Sequence, residues 1–217
     1  MTRLTMENNS DAPQHEFQQA AARLAEIGRG FYRRGWALGT SGNYSAVLGR
    51  DPARLIITSS GVDKETISPE DFLEISGEGR VTGGRGRPSA ETLLHLSVVR
   101  VMGAGAVLHT HSTWSTLLSG AFDAELSITG YEMLKGLEGI TTHEHRESIP
   151  IIENSQDMTQ LAASVEEALS HSPRAHAFLL RRHGLYTWGR GIEEAKRHVE
   201  ILEFLLEAEG RLRFSGR

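Results

Sequence analysis

Three histidines in this sequence have the residue type and spacing that a metal site requires. His109 and His111 form a His-Thr-His motif after the apolar residues 106–108, and His183 lies in an Arg-Arg-His-Gly motif. Side chains alternate between the two faces of a strand, so a strand through the first motif would project both imidazoles from one face. Three protein ligands leave one coordination position open, which is typical of a catalytic zinc ion. A structural zinc site built from thiolates is excluded, because the chain contains no cysteine.

The chain contains ten histidines, and most of them need no functional explanation. His143 and His145 form a second His-x-His motif in a polar stretch that is typical of a loop. A strand holds ligands more rigidly than a loop does, so we assign the metal to the His-Thr-His motif instead. The remaining five are interpreted as surface or hydrogen-bonded side chains: His15, His95, His171, His176 and His198.

Length and composition indicate an ordinary globular domain. The 217 residues, 39% of them hydrophobic, suffice for one domain with a sizeable core. A net charge of −5 argues against a nucleic-acid partner, and no apolar run approaches the ~20 residues that span a bilayer. Residues 1–11 are too polar for a secretory signal, and the absence of cysteine fits a reducing cytoplasm. We predict a flexible segment at 1–13, a single domain at 14–217 and a cytoplasmic protein without a membrane partner.

Hydrophobic periodicity predicts a mixture of helices and short strands. The pattern of residues 126–148 favours neither helix nor strand. Residues 39–45 are typical of a turn. Short strands and helices that are mixed along one chain indicate a three-layer α/β/α domain, with a sheet covered by helices on both faces. The predicted helices cover residues 16–34, 89 or 92 to 102, from 112 onward, 157 or 159 to 170, and 192–213; the predicted strands cover 55–58, 72–75, 81, 106–111, 149–152, 177–181 and 185–188.

Two turns rich in glycine and serine have the composition of an anion site. Residues 39–45 and 59–61 offer backbone N–H groups, small hydroxyls and an amide that could bind a phosphate. Turns of this composition are common and most bind nothing, so each one alone is weak evidence. The candidate phosphate ligands are Gly42, Asn43, Ser60, Gly61 and Ser89.

Two glutamates are candidates for proton transfer. Glu91 follows a Pro-Ser-Ala sequence just before a predicted helix, and Glu132 lies in the Gly-Tyr-Glu-Met-Leu-Lys-Gly stretch. A carboxylate near a metal ion can move a proton to or from carbon or a departing hydroxyl. The alternative for both is a surface or helix-capping glutamate, which their spacing does not exclude.

Five short blocks, taken in order, resemble the class II sugar-phosphate aldolases and epimerases over residues 16–210. Three longer blocks, at 128–137, 150–154 and 181–189, resemble a narrower family, the methylthioribulose-1-phosphate dehydratases of methionine salvage. The five blocks are Gly42-Asn43, Thr58-Ser59-Ser60-Gly61, Pro88-Ser89-Ala90-Glu91, His109-Thr110-His111 and Arg182-His183-Gly184.

The resemblance implies an α/β/α fold whose central sheet is largely antiparallel. It implies one zinc ion per subunit on His109, His111 and His183, and a homotetramer with active sites at subunit interfaces. Glu132 matches the general acid/base of the dehydratases, and Glu91 matches the catalytic glutamate of the aldolases.

The function that follows is the dehydration of 5-methylthioribulose 1-phosphate to 2,3-diketo-5-methylthiopentyl 1-phosphate. Zinc would stabilise an enediolate, the C4 hydroxyl would leave, and Glu132 would transfer protons. One alternative is a zinc-dependent aldolase or epimerase acting on another sugar phosphate, against which the blocks at 128–137 and 150–154 argue. Another is a non-catalytic interaction domain of the same fold, against which the three retained histidines argue.

Overall fold

A nine-stranded sheet between two layers of helices makes up the structure, a computed structural model that describes residues 11–214. Two short 3-10 helices, Pro69–Asp71 and Glu132–Gly136, lie in its connections. The helices are α1 (Asp11–Arg33), α2 (Thr92–Met102), α3 (Thr113–Ala121), α4 (Met158–His171) and α5 (Ile192–Phe214). The strands are β1 (Asn43–Arg50), β2 (Ala53–Thr58), β3 (Phe72–Ser76), β4 (Val81–Gly83), β5 (Ala106–Thr110), β6 (Glu125–Thr129), β7 (Arg146–Ile152), β8 (Ala177–Leu180) and β9 (Gly184–Gly189).

The strand order across the sheet is β4-β3-β2-β1-β5-β9-β8-β7-β6. Every neighbouring pair is antiparallel except β7 and β8, which run parallel. The prediction of a three-layer α/β/α domain with a largely antiparallel sheet is therefore confirmed.

Both faces of the central strand β5 are buried, as a three-layer architecture requires. Leu108 packs in a core with residues of α1 and α5, whereas Val107 packs in a separate core with residues of α2 and α4. The alternation of side chains along β5 thus sends successive residues into different helical layers. None of the helices in the described part of the chain is long and apolar enough to cross a membrane.

The sequence patterns located most elements and missed four, one of which is the short helix Pro69–Asp71. Strand β1 begins at Asn43, inside the predicted turn 39–45, because it pairs with β2 and β5 and its polar residues are buried by tertiary contacts. Strand β6 and the helix Glu132–Gly136 lie in the stretch that allowed no assignment. Helix α1 begins at Asp11, inside the predicted flexible segment, and the rest of that segment lies outside the described residues.

Candidate metal centre

A row of side chains across β1, β5 and β9 forms the floor of the site. Asn43 is paired with His109, and His109 is paired with Tyr186. Paired residues in adjacent antiparallel strands project from the same face of a sheet. The Tyr186 ring stacks on the His109 ring with 3.8 Å between centroids, so His109 is fully buried with its ring orientation constrained.

His111 is the first residue after β5, which ends one residue earlier than the strand predicted at 106–111. Its backbone N–H donates to the carbonyl of Trp36 over 2.7 Å. Ser112 then caps α3, with its hydroxyl accepting a hydrogen bond from the N–H of Ser115. The strand end and the helix cap together determine the backbone on both sides of His111.

His183 lies in the tight turn between β8 and β9, and the residue before it is strained. Arg182 has a positive φ of 53°, a left-handed conformation that costs a residue with a Cβ ~1–2 kcal/mol. Gly184 permits the turn to approach β5, because a Cβ there would lie 2.1 Å from the carbonyl oxygen of Thr110. The turn thereby brings His183 beside His109 of β5 and His111, which follows that strand.

The Nε2 atoms of the three histidines converge. They are 2.7 Å apart between His109 and His111, 3.1 Å between His111 and His183, and 3.3 Å between His109 and His183. Nitrogen ligands at ~2.0–2.1 Å from a tetrahedral zinc ion lie ~3.3 Å from one another. The Nδ1–H of His109 donates to the carbonyl of Leu185, which leaves its Nε2 lone pair free for a metal. The donor set therefore fits a divalent transition metal.

The same burial keeps two of the imidazoles neutral. Burial lowers the pKa of His109 well below its usual value, and the nearby His111 and His183 lower it further. Burial, with contributions from His183 and Lys64, lowers the pKa of His111 to about 4. Because a metal binds only the unprotonated imidazole, these two ligands need to lose no proton at neutral pH.

Glu91, the N-cap residue of α2, completes the surroundings of the three histidines. Its Oε1 lies 3.2 Å from the Nε2 of His183, and its Oε2 lies 3.5 Å from the Nε2 of His109. The Asn43 amide donates to Oε2 over 2.5 Å. A carboxylate at this place could contact the metal or a substrate that occupies the open coordination position.

The five candidate phosphate ligands lie together in one cavity of about 280 Å³, with Glu91, His111 and His183 in its wall. Residues of the turns 39–45 and 59–61, which are 14 residues apart in the sequence, thus line the same cavity as two of the three histidines. Polar wall residues that the sequence reasoning did not select are Thr40, Ser41, Ser59, Lys64, Asn154 and Gln156.

Lys64 is the wall residue with the clearest physical consequence. Its side chain is buried, and its Nζ donates to the carbonyls of Val62, over 2.8 Å, and Thr40, over 3.3 Å. Within residues 11–214 no carboxylate forms an ion pair with it, and burial lowers its pKa to about 8. A buried ammonium without a counter-ion is costly, and an anion in the adjacent cavity would offset that cost. Nothing in the local sequence distinguishes Lys64 from a surface lysine.

Glu132 does not reach this cavity within its own chain. Its side chain is 71% exposed and accepts a hydrogen bond from Lys135 over 2.6 Å. A hydrogen bond from Lys135 lowers the pKa of Glu132, and His143 contributes a weaker effect. An exposed carboxylate with a lowered pKa is poorly suited to donate a proton in this environment.

The register of the sheet shows how far Glu132 lies from the histidines. It follows β6, the edge strand three positions from β9, which corresponds to ~14 Å across the sheet. Thr129, at the end of β6, is paired with the first residue of β7, whereas the last residue of β7 lies beside Leu180, next to the His183 turn. The length of β7 adds ~20 Å between these two points.

The second His-x-His motif makes different contacts. His143 lies 3.7 Å from Glu132, and His145 contacts the buried carboxylate of Glu147 over 2.9 Å. Among the described residues, the group of ligand atoms close enough to share a metal is that of His109, His111 and His183.

His95, interpreted from the sequence as a background residue, lies beneath the site. It is fully buried and bonds to Asn43 over 2.5 Å and to Ser45 over 2.7 Å. A signal that could have identified it is its position four residues after Glu91, one turn along the same helix.

This geometry agrees with what the chain resembles in sequence. A sequence profile described as "Class II Aldolase and Adducin N-terminal domain" matches residues 22–209. The chain belongs to this family.

Close relatives within the family are named methylthioribulose-1-phosphate dehydratase. That of Methylococcus capsulatus is 46% identical over 91% of this chain and 96% of the relative. That of Pectobacterium carotovorum subsp. carotovorum is 48% identical over 89% and 94%. Among solved structures, an L-fuculose-1-phosphate aldolase from Thermus thermophilus is 26% identical, with a TM-score of 0.69 over 93% of this chain and 95% of the aldolase.

Replacing a triad histidine is expected to remove the metal. The His111→Ala protein should fold, because the side chain lies beyond the end of β5, and should retain little zinc after dialysis, since two imidazoles bind a divalent ion far more weakly than three. His143→Ala is the matched control from the other His-x-His motif and should retain the wild-type metal content. Elemental analysis of both proteins decides the assignment; loss of metal only from the His143 variant would contradict it.

Lys64→Met is expected to weaken anion binding by about 10- to 100-fold, since a hydrogen bond to a charged group contributes ~1.5–3 kcal/mol. Stability should hold or increase, because an apolar side chain of similar length replaces a buried charge. Calorimetric titration with inorganic phosphate and thermal denaturation measure the two effects. The half-buried Lys196, which pairs with Glu200 outside this cavity, is changed to Met as the control, and equal phosphate affinity in both variants would refute the role of Lys64.

Proposed function

We propose that this protein is a metal-dependent hydro-lyase that dehydrates 5-methylthioribulose 1-phosphate. The observation that carries the proposal is that His111 and His183 line one cavity with a phosphate-type cradle, and that the Nε2 of His109 lies within 3.3 Å of the Nε2 atoms of both. Relatives named for this reaction are 46% and 48% identical over about nine-tenths of the chain. Family membership and lyase chemistry follow from the comparisons, and the substrate comes from the names of these relatives.

The charges of the cavity wall favour one orientation of such a substrate. Its phosphate lies in the two turns with Gly42, Ser60, Gly61 and Ser89, close to the Lys64 ammonium, and its carbonyl end lies at the histidines. We propose one zinc ion per subunit, which, when bound, supplies Lewis-acid polarisation of the substrate carbonyl. The backbone N–H groups of the turns hold the phosphate, so binding at that end orients the carbons that react.

The reaction removes a proton from C3 and the hydroxyl from C4, which leaves with a proton as water. The product, 2,3-diketo-5-methylthiopentyl 1-phosphate, keeps the carbon chain intact. We assign these proton transfers to Glu132, with Glu91 as the second carboxylate, already inside the cavity beside the histidines.

Because Glu132 lies far from its own histidines, we propose that it acts on the site of a neighbouring subunit in a homotetramer. Docking would bury a carboxylate that is now 71% exposed, and burial raises a carboxylate pKa towards the range useful for proton transfer. Met133, beside it, is 36% exposed, as an apolar interface residue would be in a separated chain.

The reaction places the protein in methionine salvage, which consumes a methylthio sugar phosphate, and we propose a cytoplasmic setting for it. We also propose that residues 14–217 form the single catalytic domain, since the family profile matches residues 22–209.

A second candidate is an aldolase acting on another sugar phosphate. It is favoured by Glu91, which stands beside the histidines where the resemblance to the aldolases expects a catalytic glutamate. An aldolase cuts a carbon–carbon bond, so the two candidates give different products from their substrates.

Proton NMR of the zinc-loaded protein with 5-methylthioribulose 1-phosphate tests the proposed function. The expected product is a single diketone phosphate with all its carbons, formed with loss of the C4 hydroxyl. Two smaller fragments would favour the aldolase, and an unchanged substrate in the presence of bound metal would reject the dehydratase.

Complementation between inactive variants tests the position of Glu132. Glu132→Gln and His111→Ala should each be inactive alone, while the first keeps its metal. When the two chains are mixed into the same oligomers in equal amounts, about one quarter of the sites should combine an intact triad with an intact Glu132 from a neighbour. Recovered activity near that fraction supports action between subunits.

Two outcomes would contradict this assignment. An active Glu132→Gln protein would remove the acid/base role from Glu132 and transfer it to Glu91. Mixed oligomers without any activity would place Glu132 and the histidines that it serves in the same chain. Subunit exchange is verified in each mixture by co-purification of differently tagged chains.

A further inference from the structure

A chain of buried hydrogen bonds runs from the interior of the sheet to the carboxylate beside the histidines. The hydroxyl of Ser45 lies 2.7 Å from the Nδ1 of His95, and the Nε2 of His95 lies 2.5 Å from the Oδ1 of Asn43. The Nδ2 of Asn43 donates to the Oε2 of Glu91 over 2.5 Å and to the Oγ of Ser89 over 3.0 Å. Ser45 and His95 are fully buried, and Asn43 is 6% exposed.

In each hydrogen bond between Ser45 and Glu91, the chemistry of the two atoms determines which one donates. Both protons of the Asn43 amide are directed at oxygen atoms, so its Oδ1 faces His95 and can only accept. His95 must therefore carry its proton on Nε2, and its Nδ1 must accept from the Ser45 hydroxyl. Burial lowers the pKa of His95 to about 3, which agrees with a neutral ring in this single tautomer.

We propose that His95 is a positioning residue for Glu91: by donating to Asn43, it turns the Asn43 amide so that Nδ2 faces the carboxylate. This inference rests on the proposed function, in which Glu91 is the carboxylate inside the cavity. His95 does not line the cavity itself, and its described hydrogen bonds go to Asn43 and Ser45, so it acts on Glu91 through Asn43.

Helix α2 and the sheet give this arrangement its rigidity. Glu91 caps α2 and His95 lies one turn later, so both are attached to one helix. Asn43 and Ser45 are two residues apart on β1 and project from the same face. The His95 bonds therefore tie the helix that carries Glu91 to the strand that lies beside His109.

Without the His95 donor, only the bonds from Nδ2 to Glu91 and Ser89 hold the Asn43 amide in its present orientation. A rotation by half a turn would place Oδ1 against the Glu91 carboxylate, where two acceptors repel each other. The carboxylate would then move from its place 3.2 Å from His183. Asn43 also has little freedom to bind a phosphate through its side chain, since its amide is already occupied by Glu91 and Ser89.

Two substitutions of His95 separate positioning from packing. His95→Gln keeps a nitrogen donor at the place of Nε2, whereas His95→Asn reaches only the place of Nδ1 and cannot donate to Asn43. We expect His95→Asn to lower kcat about tenfold or more with unchanged zinc content, because a buried carboxylate loses its orienting donor. His95→Gln should stay within about threefold of the wild type.

A second readout requires no substrate. In the cobalt-loaded protein the visible absorption reports the surroundings of the metal, which displacement of Glu91 would alter. The spectrum should shift in His95→Asn and not in His95→Gln. This measurement tests the positioning role even if methylthioribulose 1-phosphate is not turned over. A failure of the positioning role can therefore be distinguished from a failure of the proposed function.

The loss of kcat caused by His95→Asn must also disappear when the Glu91 carboxylate has been removed. In a Glu91→Gln background, His95→Asn should cause no further loss of kcat, whereas independent effects would multiply. The control is His198→Asn, a buried histidine that bonds to the Trp188 carbonyl and the Glu138 N–H, outside the cavity. That variant should lose stability but keep both kcat and the cobalt spectrum.

Ser45→Ala provides an independent variant if His95→Asn does not fold. It removes the hydroxyl that holds the His95 tautomer, and kcat should fall about threefold in the wild-type background and not in Glu91→Gln. The proposal is overturned if His95→Gln is as impaired as His95→Asn, if neither variant changes kcat or the spectrum, or if the losses persist fully without Glu91.

Discussion

The site depends on one constraint: three imidazole nitrogens must meet within about 3 Å of one another in a buried place. Imidazole lone pairs that face one another repel, and a cation shared by the three nitrogens would remove that repulsion, so metal binding would stabilise this region. The fold meets the constraint with the register of three adjacent strands, which places His109 between Asn43 and Tyr186. The strained Arg182 and the small Gly184 then bring His183 to the same point.

Charge is distributed around the triad in a way that suits a phosphorylated substrate. A carboxylate, Glu91, stands on the helix α2 side, and an unpaired ammonium, Lys64, stands near the two turns. Each would be unfavourable if buried alone. A cation at the histidines and a dianionic phosphate in the turns would together balance these two charges approximately. Substrate binding and the electrostatic stability of the cavity would then be coupled.

In the proposed mechanism, the position of Glu132 connects catalysis with assembly. In one chain its carboxylate is exposed at an edge of the sheet, paired with Lys135, and it gains a desolvated environment only if another surface covers it. A site divided between subunits would be assembled only in the oligomer, which would keep a reactive carboxylate away from a metal until the quaternary structure forms. The buried chain from Ser45 to Glu91, by contrast, lies wholly within one subunit.

Much of the fold and the identity of the three histidines could be predicted from sequence, because both depend on short-range patterns. Strand alternation alone indicates that His109 and His111 share a face, and helical periodicity located α1 and α5 within a few residues of their ends. Strand β1 was missed because its polar residues are buried by tertiary contacts with neighbouring elements.

Only the tertiary structure decided which polar groups, distant from one another in the sequence, are buried together. His95 and Lys64 look like ordinary residues along the chain, and their roles arise from the packing of α2 on β1 and of one turn against another. The placement of Glu132 away from the triad likewise follows from strand order, which no local pattern specifies. By itself the sequence determined the ligands and the chemistry that they allow; the fold determined their distances, their protonation and the partners that hold them, because those properties depend on burial and on contacts between remote segments.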